Sequence, residues 1–344
     1  MEKNTPKPAN QILLQSSPHI ASAVGTNTLM FNMLLALSPV TVFCVAIFGL
    51  PALLNIIVAV VSAVAGESLF RLVIRQPVRA KDLSAGVTGL LLALTIPPTT
   101  PLWMTALGSL FAVIVGKEFF GGLGANVFNP ALVGRTFMLM SFPAALTTWR
   151  LPVLSGSAFA ADIVTGATPL GITKIGADIS AIGFGSYWET IRTMFFGFHA
   201  GSMGETSILI ILAALLFLLV TKTIDWRTPL CMIIAGFLAA LAFWQSPSFA
   251  FYSILAGGFM FGAVFMITDP VTAPVTGLGK IIFGCGVGII AMLIRKFGVY
   301  PEGVCFSILI MNSTVRFLNQ LISKKYGYVK PVKIKKSVGK EGAA

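Results

Sequence analysis

Long apolar stretches alternate with short polar links along most of this chain. A membrane-spanning helix needs about 20 apolar residues, and fewer where it is bent or re-entrant. Stretches of this kind form two groups of five, separated by a long polar interval. They lie near residues 29–48, 53–70, 84–97, 103–120 and 130–146, and near 207–222, 229–244, 251–268, 280–295 and 303–320. The pattern predicts an all-α integral membrane protein with about ten transmembrane helices.

The two groups of helices resemble an internal repeat. Residues 95–101 (TIPPTTP) end the third apolar segment, and residues 268–274 (TDPVTAP) end the eighth. Two halves with an odd number of helices point in opposite directions, and inverted repeats place broken helices near the membrane midplane, where ligands or ions bind. We therefore expect two inverted five-helix repeats, with broken or re-entrant elements at 84–97 and 251–268.

The same pattern divides the chain into five regions. The expected regions are an N-terminal segment (1–28), a first five-helix repeat (29–146), a polar loop (147–206), a second five-helix repeat (207–320) and a basic tail (321–344).

The composition excludes a soluble protein. Of the 344 residues 56% are hydrophobic and only 10% are charged, against about 25% in soluble domains. The mean hydropathy is +0.89, which leaves too few polar residues to cover a water-exposed surface. Basic residues do not cluster within soluble structure, so nucleic-acid binding is not expected.

The positions of the basic residues predict the orientation. Lys and Arg in short loops mark the cytoplasmic side, and they precede the first helix, follow the second and fill the tail. The links at 49–52, 97–102 and 245–250 carry none. We expect both termini in the cytoplasm, the loop 147–206 outside, and anionic lipid beside these basic residues. In this scheme Arg295 and Lys296 fall on the extracytoplasmic side, contrary to the rule for basic residues.

Three acidic residues lie in or at the ends of apolar segments, where a charge is costly and usually paired or functional. They are Glu67, Glu118 and Asp269. Asp269 and Glu118 are candidates for an ion pathway. The alternatives are a local ion pair between Lys117 and Glu118 and the capping of a half-helix by Asp269.

The sequence contains no pattern typical of a metal site or a hydrolase. The two histidines, His19 and His199, are far apart, and none of the four cysteines is spaced as CxxC. Neither a metal site nor a catalytic residue is therefore expected.

The polar loop contains residues 162–170, DIVTGATPL. The small residues Gly166 and Ala167 expose the hydroxyl of Thr168, and Asp162 and Thr165 add polar groups before it. From physics alone, a solvated loop threonine is the simpler interpretation. However, the segment resembles, at every fixed position, the sequence Asp-x-x-Ser/Thr-Gly-Ala-Thr, in which a flavin transferase joins FMN to threonine through a phosphoester bond.

Other motifs extend the resemblance over roughly residues 15–320. They are SPH at 17–19, SAGVTG at 84–89, GKEFFGG at 116–122, NVFNPA at 126–131 and TDPVTAP at 268–274. With the loop motif, they are similar to the RnfD/NqrB family of membrane flavoproteins of bacterial electron-transport complexes.

The resemblance implies two flavins. Thr168 would carry covalent FMN, with Asp162, Thr165, Gly166 and Ala167 completing the recognition sequence. A non-covalent riboflavin would lie among the helices, with Asn126 and Asn129 as candidate amide ligands. The transferase acts outside the cytoplasm, which agrees with the orientation expected from charge.

The resemblance also implies a function and partners. The expected function is electron relay, coupled to Na⁺ or H⁺ translocation, in a ferredoxin:NAD oxidoreductase complex of the bacterial cytoplasmic (inner) membrane; the chain is not catalytic alone. The implied partners are sister membrane subunits, an extracytoplasmic flavoprotein subunit, iron–sulfur subunits, ferredoxin and NAD through the complex, and the flavin transferase.

Two alternatives stay open. One is an NqrB-type subunit of a Na⁺-translocating NADH:quinone reductase, although the chain lacks the longer N-terminal extension of NqrB. The other is a small-solute channel of the urea or ammonium type. The last helix, with NSTVRFLNQ at 312–320, departs from the Pro-Leu-Ile-Asp-like ending of relatives, which puts an ion-coupling role of that acid in doubt.

Overall fold

The computed structural model describes residues 25–78, 82–149, 170–171, 187–205, 207–298, 300 and 302–322, and within these ranges the regular secondary structure is entirely helical. The helices of the first part are α1 (Thr26–Phe48), α2 (Leu50–Val73), α3 (Ser84–Leu94), α4 (Leu102–Ile114), α5 (Pro130–Ser141) and α6 (Pro143–Thr147). Those of the second part are α7 (Tyr187–Phe196), α8 (Ile208–Val220), α9 (Arg227–Trp244), α10 (Pro247–Leu255), α11 (Phe259–Met266), α12 (Gly277–Phe297) and α13 (Val304–Ile322).

Five helical stretches in the described ranges are long and apolar enough to cross a membrane alone. They are α1, α2, the stretch Leu102–Phe120 that begins with α4, α9 and α12. Helices α10 and α11 form one more crossing if taken together. The protein is therefore a multi-pass membrane protein, and the described ranges contain five or six stretches with the length and composition of a full crossing. The ten predicted helices stay a prediction.

Two predicted spans are shorter than expected because the chain turns early. Helix α3 has 11 residues and ends at Leu94, before Thr95, Ile96 and two prolines. Proline disfavours helical geometry in the residue before it and cannot donate to the preceding turn. Helix α8 has 13 residues and ends at Val220, ahead of a turn.

The end of α3 is closed by a loop that comes much later in the chain. The backbone N–H of Met203 donates to the carbonyl of Ile96 (3.2 Å), and that of Gly204 donates to the carbonyl of Leu94 (2.6 Å). A helix end in an apolar setting needs such partners for its last carbonyl groups.

Helices α10 and α11 are separated by a bend of 64°. At the bend Gly257 has φ +65°, in the left-handed region that glycine adopts without strain. Arg295 donates to the carbonyl groups of Ser253 and Ala256 at the end of α10, and Glu302 accepts from the N–H of Gly258 (3.3 Å) before α11. The broken element predicted for 251–268 is thus confirmed, and charged side chains satisfy both of its free ends.

The turn after α3 is held against α2 by one buried amide. Asn55 donates to the carbonyl groups of Pro98 and Thr100 (both 3.1 Å) and accepts from the hydroxyl of Thr105 (2.6 Å). One polar side chain of α2 therefore fixes the TIPPTTP turn and the start of α4.

Gly89→Ala is expected to destabilise the protein because α3 packs on α2 through Gly89. A Cβ at this position would lie 2.7 Å from the carbonyl oxygen of Ala59 and 2.9 Å from Cα of Val60, both backbone atoms. Overpacking of this kind costs about 1–3 kcal/mol, so the thermal midpoint in detergent should fall. Gly86→Ala is the matched control in the same helix, since its Cβ would meet no atom within 4 Å. Equal midpoints for the two variants would contradict this packing.

Candidate functional site

A cavity lies between α1, α3, the segment before α5 and the end of α11. It contains about 630 Å³ of space between atoms, part of it open to solvent. Its polar lining is Ser84, Thr88, Lys117, Asn126, Asn129, Thr223, Thr268 and Asp269, and its apolar lining includes Met30, Met33, Val87, Leu91 and Phe265. A pocket with apolar walls and a few convergent polar groups is typical of cofactor sites.

Asn129 joins two parts of the chain at this cavity. Its Oδ1 accepts from the N–H of Ala131 (3.1 Å) and caps α5, while its Nδ2 donates to the carbonyl of Met266 (3.2 Å) at the end of α11. The amide NH₂ has two hydrogens, so one hydrogen remains for a ligand. Asn129 is both a structural link and a cavity residue.

Asn126 shapes the loop before α5. It accepts from the N–H of Gly124 (3.3 Å) and donates to the carbonyl of Phe128 (3.2 Å). Both Asn126 and Asn129 therefore lie in the cavity wall, with orientations that backbone groups fix.

Asp269 reaches the same cavity from the second half of the chain. Its Oδ2 accepts from the hydroxyl of Thr272 (2.8 Å), so the carboxylate closes the TDPVTAP turn. Because Asp269 also lines the cavity, the capping and ligand-facing roles that the sequence leaves open are compatible.

Four buried side chains form what we call the α2 charge cluster: Glu67, Arg71, Lys117 and Glu118. Arg71 binds both carboxylate oxygens of Glu118 (3.1 and 3.2 Å). Lys117 binds Glu67 (2.9 Å) and the hydroxyl of Ser84 (2.5 Å). Two acids and two bases neutralise each other, which is what makes such burial tolerable.

The local ion pair between Lys117 and Glu118, one of the alternatives open in the sequence, is therefore wrong. Neighbouring side chains leave the backbone in different directions, and each of the two finds its partner on α2 instead. Glu118 is bound to Arg71 and is absent from the cavity lining, whereas Lys117 is part of it. The structure thus brings Asp269, Asn126 and Asn129 together but leaves Glu118 apart.

Ser84 and Lys117 are cavity residues that the sequence did not predict. Both belong to motifs that carry the family resemblance, SAGVTG at 84–89 and GKEFFGG at 116–122. Their place in these motifs is the signal that could have identified them.

A second set of charged side chains, here called the α12 charge cluster, surrounds the bend between α10 and α11. Its members are Arg135, Glu205, Arg295 and Glu302. Arg135 forms an ion pair with Glu302, and Arg295 binds the end of α10. No pattern in the sequence indicated this cluster. It also explains why Arg295 departs from the charge pattern of the loops: the side chain is only 4% exposed and has a structural partner.

The proposed flavin-attachment residues Asp162, Thr165, Gly166, Ala167 and Thr168 lie outside the described residues. Leu170, just beyond them, is described and buried. Its Cδ2 lies 3.4 Å from the position that a Cβ on Gly257 would take. Leu170, the second residue after the motif, therefore lies at the bend between α10 and α11.

Comparison with known proteins gives a consistent result over nearly the whole chain. Residues 13–327 match the NQR2, RnfD, RnfE family. The chain is 40% identical to the D subunit of the proton-translocating ferredoxin:NAD(+) oxidoreductase complex of Clostridium ljungdahlii, over 90% of this chain and 94% of that protein. It is 37% identical to the D subunit of the Na(+)-translocating ferredoxin:NAD(+) oxidoreductase complex of Acetobacterium woodii, over 93% and 96%. It is 36% identical to the D subunit of the ion-translocating oxidoreductase complex of Escherichia fergusonii, over 92% and 99%. The chain belongs to the NQR2, RnfD, RnfE family.

Proposed function

We propose that this chain is a membrane subunit of an ion-translocating ferredoxin:NAD oxidoreductase complex and relays electrons within it. The observation that carries the proposal is the similarity, over about nine-tenths of the chain, to the D subunits of such complexes. One of these relatives is named proton-translocating and the other Na(+)-translocating, so the coupled ion is H⁺ or Na⁺. The partners we propose are the other complex subunits, including an extracytoplasmic flavoprotein subunit and iron–sulfur subunits, with ferredoxin and NAD acting through the complex.

We propose two inverted five-helix repeats, 29–146 and 207–320, as the architecture. In support, α2 packs along α4 in the first half and α9 packs along α12 in the second, so corresponding helices pair in the same way. In both halves a short or bent element is followed by a turn rich in Thr and Pro: α3 by residues 95–101, and the bent α10–α11 pair by residues 268–274. The distribution of basic residues supports cytoplasmic termini and an extracytoplasmic segment 147–206 in the bacterial inner membrane.

Covalent FMN on Thr168 is the cofactor we propose for the electron relay. The support is the match of residues 162–168 to the transferase recognition sequence, in which Asp162, Thr165, Gly166 and Ala167 precede the acceptor hydroxyl. Bound FMN supplies one- and two-electron transfer. The chain supplies permanent attachment, which replaces a binding equilibrium with a fixed position near the redox partners.

The direct test is mass spectrometry of the peptide that spans Thr168, taken from protein produced together with the flavin transferase. We expect the mass of one FMN in phosphoester linkage on this peptide. An unmodified peptide would refute the proposal of a covalent flavin relay. The alternative would then be a small-solute channel, which is tested by measuring solute flux into vesicles that contain the protein.

The cavity is where we propose that riboflavin binds. Its residues suit a flat ring with one polar edge, because the lining combines amide, hydroxyl and ammonium groups with methionine, leucine, valine and phenylalanine side chains. Asn126, Asn129 and Ser84 would orient the polar edge. Lys117, held by Glu67 and Ser84, would present a fixed positive charge to it.

Asp269→Asn is expected to lower ion transport per transferred electron several-fold, because we propose that the Asp269 carboxylate belongs to the ion pathway. The neutral amide keeps the shape of the TDPVTAP turn but removes the charge. Ion flux and electron transfer would be measured together in vesicles that contain the complex, with attached FMN checked on the same samples. Asp225→Asn is the control, since Asp225 is a partly exposed acid bound to Lys280 outside the cavity. Unchanged coupling in Asp269→Asn would remove Asp269 from the pathway.

A further inference from the structure

A second, more open pocket lies where α8 ends and where α9 and α12 begin. It contains about 1030 Å³ of space between atoms, part of it open to solvent. Two hydrogen bonds join its surroundings to other helices. Asn32 of α1 donates to the hydroxyl of Thr223 (3.0 Å), and Asn319 of α13 accepts from the N–H of Val275 (3.1 Å). The pocket is therefore on the face of the protein where α1 begins and α13 ends.

Three basic side chains line this pocket, together with one acid. The bases are Lys222, Arg227 and Lys280, and the acid is Asp225. Asp225 accepts from the ammonium of Lys280 (3.0 Å) and from the backbone N–H of Arg227 (3.1 Å). The side chains of Lys280 and Asp225 are 25% and 27% exposed, so the ammonium stays accessible from the pocket. Three positive charges less one negative charge leave the lining with two net positive charges.

Lys222 occupies an unusual backbone position. It follows the end of α8 with φ +52°, in the left-handed region where helices commonly end in glycine or asparagine. A residue with a longer side chain adopts this conformation only at a cost, and such strain is often found at functional positions. The exposed lysine therefore indicates that its positive charge is used at the pocket.

The start of α9 places an aromatic ring beside a positive charge. The guanidinium carbon of Arg227 lies 5.9 Å from the ring centroid of Trp226, and Trp226 is 55% exposed. Tryptophan is enriched at the level of the lipid headgroups. The guanidinium of Arg227 also lies against Gly277, where a Cβ would collide with it. Arg227 thus reaches from the start of α9 to the start of α12 at the level of the membrane interface.

Exposed apolar side chains continue from the pocket along all three helices. They are Leu216 and Val220 on α8, Leu230 and Ile234 on α9, and Leu278 and Ile282 on α12. A basic pocket that continues into apolar helix faces matches the two parts of a phospholipid, its charged headgroup and its acyl chains. Basic pockets between transmembrane helices on the cytoplasmic side are typical of sites for anionic lipid headgroups. A soluble phosphate compound would need only the basic part.

We propose that this pocket binds the headgroup of an anionic phospholipid whose acyl chains lie along α8, α9 and α12. Two net positive charges match a lipid with two phosphate groups, such as cardiolipin, better than phosphatidylglycerol, which has one. Lys222, Arg227 and Lys280 bind the phosphate oxygens through charge-assisted hydrogen bonds. The inference does not depend on either flavin, so it stands or fails separately from the proposed function.

Native mass spectrometry of the purified chain tests the affinity order. Protein that has been freed of lipid in detergent is titrated with cardiolipin, phosphatidylglycerol or phosphatidylcholine. The wild type should retain cardiolipin best and phosphatidylcholine least, and equal retention of the three lipids would overturn the headgroup assignment. A triple variant with glutamine in place of Lys222, Arg227 and Lys280 should bind cardiolipin far more weakly, because each basic residue contributes about fivefold to the binding of anionic lipid.

A charge-matched triple variant separates the pocket from the overall charge. It has glutamine in place of Arg75, Arg192 and Lys296, three exposed basic residues outside the pocket, and should bind cardiolipin nearly as the wild type does. Equal losses in the two triple variants would show that net charge attracts the lipid, and the pocket assignment would be wrong.

Lys222→Asn tests the site without disturbing the fold. Asparagine suits the left-handed backbone at this position, so the thermal midpoint should not fall. The affinity for cardiolipin should nevertheless fall about fivefold with the loss of one charge. An unchanged affinity would contradict the proposal, since a purely structural role for Lys222 predicts no loss.

Two further measurements test the source of the phosphate and the place of binding. Inorganic phosphate in excess should leave bound cardiolipin in place, because it does not occupy the apolar faces. Displacement of the lipid would instead assign the pocket to a soluble phosphate compound. A cardiolipin with a photoreactive group near its headgroup should cross-link to peptides that contain residues 216–234 or 278–282, and labelling of other peptides alone would overturn the site.

Discussion

Thr168→Val is expected to leave the chain with no covalent flavin, although the protein still inserts and folds. Valine has nearly the shape of threonine but lacks the hydroxyl oxygen that a phosphoester requires, so the loss should be complete. Covalent flavin survives denaturation, and its fluorescence under ultraviolet light marks the band of the chain in a denaturing gel. The wild-type band should fluoresce and the variant band should be dark at equal protein load.

Thr173→Val is the matched control for this experiment. Thr173 lies in the same polar loop but outside the seven-residue motif, so its replacement should leave the band fluorescent. If Thr168→Val stayed fluorescent, the flavin would be attached elsewhere and the assignment from the motif would be wrong.

Arg71→Met is expected to destabilise the protein by about 3–5 kcal/mol, the usual cost of removing one partner from a buried ion pair. Arg71 binds both carboxylate oxygens of Glu118 and lies 3.6 Å from Glu67. Methionine fills much of the same space but leaves the Glu118 carboxylate without its cationic partner. The side chains of Arg71 and Glu118 are both almost fully buried, so water cannot replace the lost ion pair. The thermal midpoint of the purified protein in detergent should fall sharply.

Two further variants make this test specific. Arg75→Met removes an exposed arginine just beyond the end of the same helix and should change the midpoint little. Arg71→Met combined with Glu118→Leu removes the stranded charge and should recover a large part of the loss, because replacing both members of a buried pair is often nearly neutral. A midpoint for Arg71→Met equal to that of Arg75→Met would show that the α2 charge cluster contributes little.

The sequence predicts the main membrane helices well because the bilayer imposes a simple requirement on them. The predicted segments at 29–48, 229–244 and 280–295 correspond to α1, α9 and α12 within a few residues. The sequence does not predict the length of a helix that ends where the chain turns inside apolar surroundings. Helix α3 ends at Leu94 although the apolar pattern continues to residue 97, because the turn is set by proline geometry and by bonds from Asn55 and Gly204.

Pairing between distant charges is the part that the sequence alone does not reveal. Lys117 and Glu118 are neighbours in sequence, yet their partners Glu67 and Arg71 belong to another helix. A topology prediction counts Arg295 as a loop charge, whereas in the structure its guanidinium donates to the carbonyl of Ala256 at the end of α10. The sequence shows where the charged residues are, but which of them are buried and which of them pair depends on tertiary packing.

The candidate cavity residues show the same limit. Asn126, Asn129 and Asp269 are separate candidates in the sequence, and only the fold places them on one cavity. More than 130 residues separate Asn129 from the α11 carbonyl that it binds, and no local pattern relates the two positions.

The bond from Asn129 to Met266 has a consequence for the order of biosynthesis. The donor and the acceptor are 137 residues apart, so the first half of the chain leaves the ribosome long before this bond can form. The same is true of the bond from Gly204 to Leu94, which closes the end of α3. The cavity wall is therefore completed only after residue 266 has been inserted. A nascent chain that stops before that point lacks Thr268, Asp269 and Pro270 of the lining, and with them the acid of the cavity. Loading of the proposed non-covalent flavin is therefore expected after translation of the second half.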